Sequence, residues 1–327
     1  GVRGRADGTL EWVWREEEGW QGFEQGVEFA RAYDGAADGR IRTFLFPYLL
    51  DACKPDLLKA SKEAAKELGC TLKMHGAQYY HDFQEMLRRT GKTPIQWLAD
   101  LGFLGPEVSL THAVYTTQHP WLPYPVGDET DMRILAETGT TVAHCPVVFA
   151  RNGVALHSFS RYVRAGIPVS LGTDTSPHDM IMEMRCAMLM SKLTDEDPLS
   201  GLAREAFDAA TLGGAKALGR DDLGRLAPGA KADIVLVDME QVHIGPVAAD
   251  DPIKALVYCA FGDDVDTVIV DGKTLVQGGE LLGVDVPALR ERADAFNRKL
   301  TASVSLATYR GRPLTDWYEP AFPAWQG

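Results

Sequence analysis

The chain of 327 residues is 45% hydrophobic and 24% charged, which is typical of a folded protein with room for one large domain and a smaller one. Its formal net charge of −13 argues against nucleic acid and anionic membrane surfaces as partners. The five cysteines stand singly, without the CxxC pairs of a zinc ribbon and in an odd number that argues against a disulfide framework. We therefore expect a cytoplasmic protein with reduced thiols and no membrane span.

Short β-rich runs alternate with amphipathic helical patterns from residue 41 to about residue 195. The predicted strands are 41–46, 70–75, 108–112, 140–144 and 167–172. The predicted helices are 55–68, 82–89, 93–102, 128–138, 158–165 and 180–193. Strands separated by single helices predict parallel βα units. Both a doubly wound sheet and a (β/α)8 barrel fit these strands, and because a barrel takes roughly 250 residues, a barrel here would lack its first strands.

The C-terminal part of the chain has a different pattern. Residues 223–238 form a turn-rich segment followed by a hydrophobic strand, and residues 266–277 predict a β-hairpin with Asp271 and Gly272 at its turn. An amphipathic helix is predicted over residues 287–300. We therefore divide the chain into a barrel, a portion of a small β-sandwich, and a C-terminal helix with a tail. These parts cover residues 1–220, 221–282 and 283–327.

Four of the five predicted strands end in a side chain that can bind a metal. His75, His112 and His144 end the second, third and fourth strands, and Asp174 follows the fifth. Alone, each histidine would be an ordinary hydrogen-bonded residue, and Asp174 could cap the next helix. Because the C-terminal ends of parallel strands meet at one edge, the four together favour a site. Imidazole and carboxylate are suitable ligands for zinc or iron.

The order of these motifs resembles the amidohydrolase superfamily. The segments LTHA (110–113), AHCP (143–146) and LGTD (171–174), after His75, are similar to motifs of triazine hydrolases, guanine and cytosine deaminases and related chlorohydrolases. Residues 224–238 are similar to the strand that returns to that family's β-sandwich. The resemblance implies an α/β fold, a (β/α)8 TIM-type barrel of which this chain carries strands four to eight. It also implies one divalent metal, zinc in the first place, with iron, cobalt or manganese as alternatives.

The resemblance also implies roles for the residues at the strand ends. His75 and Asp174 match the family's metal ligands, and Asp174 would also take a proton from a water whose pKa the metal lowers. His112 matches the histidine that contacts substrate or the bound water. His144 matches a position that either faces the substrate or lies behind the residues that contact it. His178 either lines the same pocket or caps the helix that starts near residue 180; the sequence leaves both readings open.

Two departures from the family pattern affect the predicted site. The family's His-x-His pair is absent, since none of the eight histidines are two residues apart. A catalytic zinc normally has three protein ligands, so we expect the pair on a preceding segment or on a separate chain. The second departure is Gln78, which stands where the deaminase branch has a glutamate. An amide can orient a substrate by hydrogen bonds but cannot carry a proton to a leaving nitrogen.

The leading hypothesis is a metal-dependent hydrolase that cleaves a C–N or C–halide bond in a small, nitrogen-containing heteroaromatic compound. Gln78 makes an amide, carbamate or urea hydrolase of the same superfamily the main alternative. A third hypothesis is a non-catalytic barrel remnant, or a subunit that needs a partner chain. A methionine-rich stretch at residues 180–190 is suited to core packing or to subunit contact, and we expect a homo-oligomer.

Overall fold

The computed structural model describes residues 2–4, 10–122, 128–248 and 250–307, with side chains described between residues 13 and 303. The strands are β1 (Val2–Gly4), β2 (Leu10–Trp12), β3 (Phe44–Leu45), β4 (Thr71–Gly76), β5 (Val108–His112), β6 (Thr141–His144), β7 (Val169–Leu171), β8 (Ile234–Val237), β9 (Val265–Val270), β10 (Lys273–Gln277) and β11 (Glu280–Leu281). The helices are α1 (Glu16–Tyr33), α2 (Pro55–Leu68), α3 (Tyr80–Thr90), α4 (Pro94–Asp100), α5 (Thr130–Thr138), α6 (Pro146–Arg151), α7 (Phe159–Arg164), α8 (Met180–Asp195), α9 (Ala203–Asp208), α10 (Gly214–Ala217), α11 (Pro252–Cys259) and α12 (Val286–Ala307). None of these helices combines the length and the apolarity needed to cross a membrane.

A five-stranded parallel sheet, in the order β3-β4-β5-β6-β7, forms the centre of the larger part. Each of the five predicted strands overlaps one of these strands, so the predicted α/β architecture is confirmed. Inner strands bury side chains on both faces, as parallel sheets covered by helices do. Leu72, Met74, Leu110 and Val142 are fully buried. Among the described residues no strand pairs with the outer edge of β3 or of β7, so this barrel sheet is open.

Local sequence signals account for α2, which packs between α1 and the sheet. Pro55 lies in its first turn, where the missing N–H has no helical partner to lose. Gly69 ends the helix in the left-handed conformation, with φ of 65°. A glycine adopts this conformation without the steric cost that a Cβ adds. The predicted start and end of this helix are both confirmed, and Leu58 and Ala65 are buried on its inner face.

The C-terminal part contains a four-stranded antiparallel sheet, in the order β11-β10-β9-β8. The hairpin between β9 and β10 turns at Asp271 and Gly272, whose φ values of 48° and 77° are both positive. Such a turn matches the right-handed twist of its strands, and the predicted hairpin is confirmed. The predicted β-sandwich segment also contains α11, a helix that the sequence interpretation missed. It packs against α8 and α9, and its Val257 is fully buried.

Short helices account for most of the other differences from the predicted elements. The sequence interpretation did not include α6, α9, α10 or the π-helical turn Ala209–Gly213. These elements have four to six residues each, too few for an amphipathic period to emerge. The predicted helix at residues 287–300 is longer in the structure, where it is α12.

A close approach of backbone to backbone joins the π-helical turn to the end of the sheet. A Cβ added at Gly213 would lie 2.1 Å from the carbonyl oxygen of Val169 in β7. The next residue, Gly214, has open space where its Cβ would be. Both glycines have helical φ values, −63° and −61°, so contact alone distinguishes the two positions.

We expect Gly213→Ala to lower the free energy of unfolding by about 2 kcal/mol, because β7 must move away from the new methyl group. Gly214→Ala is the matched control, and it should stabilise the protein by about 0.5 kcal/mol by restricting the unfolded chain. Denaturant unfolding of both variants measures the difference. Equal stabilities for the two alanine variants would contradict the close approach described here.

His119 anchors the segment that follows β5 to the segment before α7. Its Nε2 lies 2.9 Å from the carbonyl oxygen of Ala155, and its Nδ1 accepts the backbone N–H of Trp121 at 3.3 Å. These partners require the neutral ring, with its proton on Nε2. Burial lowers the pKa of His119 to about 4, while the bond to Ala155 acts in the opposite direction. The ring is 3% exposed, which places it inside the fold rather than in an open pocket.

The stability contributed by His119 is expected to depend on pH. Below its ordinary pKa of 6.5 and above about 4, the unfolded chain binds a proton that the folded chain does not. The free energy of unfolding therefore falls as the pH falls through this window, by up to about 1.4 kcal/mol per pH unit. The stability difference between the wild type and His119→Gln should shrink between pH 7 and pH 4.5. A constant difference would show that His119 does not titrate in this way.

Candidate functional site

The register of the parallel sheet brings the predicted site residues to one edge. Gly76 pairs with His112 across β4 and β5, which places His75 beside the end of the neighbouring strand. His144 pairs with Leu171 across β6 and β7, just before Asp174. His75, His112, His144 and Asp174 therefore lie at or just beyond the C-terminal ends of adjacent strands, the edge where parallel α/β folds place their sites.

The rings of His75 and His112 stack at this edge. Their centroids are 5.0 Å apart and their planes differ by 7°. His112 is completely buried, and neither of its ring nitrogens has a hydrogen-bond partner among the described residues; the same holds for Nδ1 of His75. Buried polar atoms in proteins nearly always have partners, so these ring nitrogens are available to bind a substrate, a metal or a water.

Burial keeps both rings neutral. It lowers the pKa of His112 to about 3, with His75 and His144 acting in the same direction. Burial also lowers the pKa of His75, which the nearby Asp174 carboxylate partly offsets. Neutral imidazole is the form that binds a metal or accepts a proton.

The backbone at the strand ends is strained. His112 and Ala113 have φ values of 84° and 41°, and Asp174 has a φ of 57°. Ala77, next to Gln78, has a φ of 52°. Residues with a Cβ rarely adopt this left-handed region, which costs about 1–3 kcal/mol each and is concentrated at functional sites. The strain therefore coincides with the predicted site.

His144 is buried, like His112. It is 4% exposed, and its ring stacks on Phe159 at 6.4 Å and 14°. Burial lowers its pKa to about 3. A cavity of about 10 Å³ lies beside the ring, lined also by Pro146 and Phe149, which is about the volume of one water position. The ring of His144 therefore packs on Phe159, whereas the rings of His75 and His112 stack on each other.

Gln78 stands on a turn that a buried carboxylate holds in place. Asp82 accepts the backbone N–H groups of Gln78 and Tyr79 at 2.8 Å and of Phe83 at 2.9 Å. Asp82 is 7% exposed, and burial raises its pKa to about 7 despite these bonds. The turn is also tied to the next strand end, where Tyr115 donates its backbone N–H to the carbonyl of Ala77 at 2.9 Å. Gln78 is half-buried at the mouth of the site.

Asp174 and His178 are both exposed, on the loop between β7 and α8. Nδ1 of His178 lies 3.2 Å from Oγ1 of Thr173. His178 lines a groove of about 700 Å³ between α8 and the antiparallel sheet, and neither His75 nor His112 is among the residues that line it. Asp179, not Asp174 or His178, caps α8 by accepting the N–H of Met182 at 3.0 Å.

Glu183 is a buried carboxylate that the sequence interpretation missed. It is 1% exposed; one oxygen accepts the N–H of Val147 at 3.0 Å, and the other has no partner among the described residues. Burial raises its pKa to about 7, and the carboxylates of Asp179 and Asp174 add to the effect. In the sequence, Glu183 is marked as a single acidic residue within the methionine-rich stretch at residues 180–190. In the structure its side chain reaches the turn after His144.

The described residues supply only part of a metal site. No three histidine, cysteine, aspartate or glutamate side chains in the ranges that the structure describes are arranged to hold a metal ion. His75 and Asp174 are close enough to interact electrostatically, and His75 has an unpartnered nitrogen. Two ligands are one fewer than a catalytic zinc normally has. Within the described ranges the chain therefore offers two ligands, His75 and Asp174.

Comparison with known proteins places these observations in a family. The model of the amidohydrolase family matches residues 22–275. A 5'-deoxyadenosine deaminase of Methanosarcina mazei is 35% identical over 93% of this chain and 68% of its own length. A 5-methylthioadenosine/S-adenosylhomocysteine deaminase of Moorella thermoacetica is 36% identical over 80% of this chain and 60% of its own length.

A solved structure shares the fold of the chain. The atrazine chlorohydrolase of Arthrobacter aurescens TC1, complexed with zinc, superposes with a TM-score of 0.71 and 25% identity, over 84% of this chain and 60% of that protein. The chain thus spans about 60–68% of the lengths of these proteins. The predicted superfamily, its deaminase and triazine-hydrolase branch, and the hydrolase class are confirmed. This chain belongs to the amidohydrolase family.

Proposed function

We propose that this chain carries the substrate-binding part of a metal-dependent deaminase that acts on an amino-substituted heteroaromatic ring. The stacked, neutral and unpartnered His75–His112 pair beside Asp174 is the observation that carries the proposal. The relatives that are deaminases of adenosine derivatives support a purine nucleoside as the substrate class. In this reaction a water oxygen replaces the amino group on the ring carbon, and ammonia leaves.

The residues of the chain would divide the work at the site. Asp174 is the exposed carboxylate available to accept a proton at the mouth. His112, neutral and completely buried, would hydrogen-bond the substrate or its attacking water through a nitrogen that has no protein partner. Gln78 would orient the edge of the substrate ring with its amide, and His144 would form part of the buried wall of the site. His178 is proposed only as a support of the loop that carries Asp174, through its contact with Thr173.

We further propose that a complementary segment, in the same polypeptide or in another, completes the barrel. The open edges of β3 and β7 support this, because unpaired strand edges are normally covered. Large aromatic side chains next to β3 are also exposed: Phe44 by 45%, Phe46 by 42% and Tyr48 by 59%. The segment would bring the His-x-His pair, and a divalent ion bound there, with zinc as the first candidate, would supply an acidified water.

We also propose that the protein self-associates and is located in the cytoplasm. Self-association is supported by exposed apolar residues on α8, where Met182 is 41%, Leu189 42% and Leu193 71% exposed. The cytoplasmic location rests on the unpaired cysteines, all five of which are free in the structure. We propose the same division of the chain into parts at residues 1–220, 221–282 and 283–327. The first two parts are in contact, because α11 of the second packs on α8 and α9 of the first.

The second candidate function is hydrolysis of an amide, carbamate or urea bond. Gln78 favours it, because an amide at this position cannot protonate the nitrogen that leaves a heteroaromatic ring. Release of ammonia from a panel of purine nucleosides, pyrimidines and triazines tests deamination. Release of amine from N-substituted amides and carbamates tests the alternative. If only the amides and carbamates react, the deaminase proposal is wrong and hydrolysis of these bonds takes its place.

Metal content tests the assignment of ligands. We expect His75→Ala and Asp174→Ala each to lower bound zinc by more than about tenfold in the protein purified with every segment that accompanies it, because each removes one ligand. His112→Ala should leave the metal bound and lower turnover by about 10²-fold. His243→Ala, in the C-terminal part, is the control. If elemental analysis finds no stoichiometric metal in the wild type, the proposal of a metal-dependent enzyme is wrong, and the result supports a non-catalytic barrel.

The identity of residue 78 tests the proton transfer. We expect Gln78→Glu to raise kcat for ammonia release by about 10²-fold, because a carboxyl group can deliver a proton to the leaving nitrogen. Gln78→Ala, which removes the amide without adding an acid, serves as the comparison and should show no gain. If Gln78→Glu releases ammonia no faster than the wild type, residue 78 does not limit this proton transfer.

A further inference from the structure

A continuous row of rings crosses the mouth of the site. It begins with the stacked pair of His75 and His112, and the ring of His112 contacts Phe149 of α6 with centroids 4.7 Å apart. Phe149 in turn contacts Tyr79, with centroids 6.2 Å apart and planes at 40°. The row therefore joins the ends of β4 and β5 to α6 and returns to the turn after β4.

Tyr79 differs from the rest of the row because it is exposed. Phe149 is 3% exposed and His112 is completely buried, whereas Tyr79 is 48% exposed. Tyr79 lies beside Gln78, on the turn between β4 and α3. An aromatic ring that packs on one neighbour and is about half exposed beside a site is suited to stacking on a planar ligand.

The turn that carries Tyr79 is held rigidly. The buried Asp82 carboxylate accepts the N–H of Tyr79 at 2.8 Å and the N–H of Gln78 at 2.8 Å. One carboxylate thus fixes the backbone of two adjacent residues, one with an aromatic ring and one with a side-chain amide. A flat heterocycle presents an apolar face and polar ring nitrogens, and this turn offers one residue suited to each.

We propose that Tyr79 is a substrate-binding residue, whose ring stacks on the planar heterocycle while Gln78 hydrogen-bonds the heterocycle's edge. The inference rests on the heteroaromatic substrate class proposed above and adds a residue that selects for it. An aliphatic carbamate has no aromatic face and would gain nothing from the Tyr79 ring. The turn at residues 77–82 would then favour flat rings over other substrates of similar size.

Binding of adenosine, measured by isothermal titration calorimetry on the full chain, tests this inference independently of turnover. We expect Tyr79→Leu to weaken adenosine binding by about tenfold, because it removes the stacking face. Tyr79→Phe should keep the affinity within about twofold, because the ring remains. Tyr33→Leu is the control, since Tyr33 is 49% exposed at the end of α1 and should not affect binding. Ethyl carbamate is the non-aromatic probe, and Tyr79→Leu should not change the heat that it produces.

The outcomes separate this proposal from the proposed reaction. If Tyr79→Leu binds adenosine as the wild type does, or if the wild type does not bind adenosine, the Tyr79 proposal is wrong. If binding depends on the ring at residue 79 but the protein purified with every segment that accompanies it releases no ammonia, the deaminase proposal fails while the role of Tyr79 holds. Tyr79→Ser provides a second truncation, and thermal unfolding of each variant identifies any that has lost the fold.

Discussion

The parallel hydrogen-bonding register of β3 to β7 is the constraint on which the site depends. Because Gly76 pairs with His112 and His144 pairs with Leu171, the strands end together, and their last residues face one another. Paired residues of neighbouring strands point to the same face, so His75, which pairs with Thr111, would lie on the opposite face from His112 if both strands stayed regular to their ends. The positive φ of 84° at His112 interrupts that regularity, and the two rings stack at 5.0 Å. The stacking therefore depends on the strand register together with the backbone conformation at the strand end.

The same edge collects features that reduce stability. Each buried polar atom without a partner costs about 1–3 kcal/mol, and His112 alone has two. The positive φ angles of His112, Ala113 and Asp174 add strain on the adjoining backbone. The surrounding core contains fully buried Leu110, Met74 and Leu72, which pack without such cost. A structure that concentrates its unfavourable terms at one edge, on the residues that resemble a hydrolase site, is organised there for chemistry rather than for packing.

Much of the fold and of the strand-end site was predictable from the sequence because those features are local. Hydrophobic runs, Gly69 after α2 and Asp271-Gly272 in the hairpin act through their own neighbours in the chain. Gly213 against Val169, and Phe149 between His112 and Tyr79, are contacts between distant segments and leave no periodic signal. Glu183 was interpreted as part of a methionine-rich stretch, although tertiary packing makes it a buried carboxylate.

The location of His75 explains how one site can have two separable halves. Its ring contacts Phe46 at 5.1 Å and Tyr48 at 5.7 Å, both next to the open edge of β3, and His112 on the opposite side. His75 thus lies between the open edge of β3 and the aromatic row. The row from His112 to Tyr79 consists of residues of this chain, and the buried Asp82 holds the turn that carries Tyr79. The proposed recognition of a flat ring therefore uses residues of this chain, whereas the proposed activation of water would use ligands on the segment that covers the open edge.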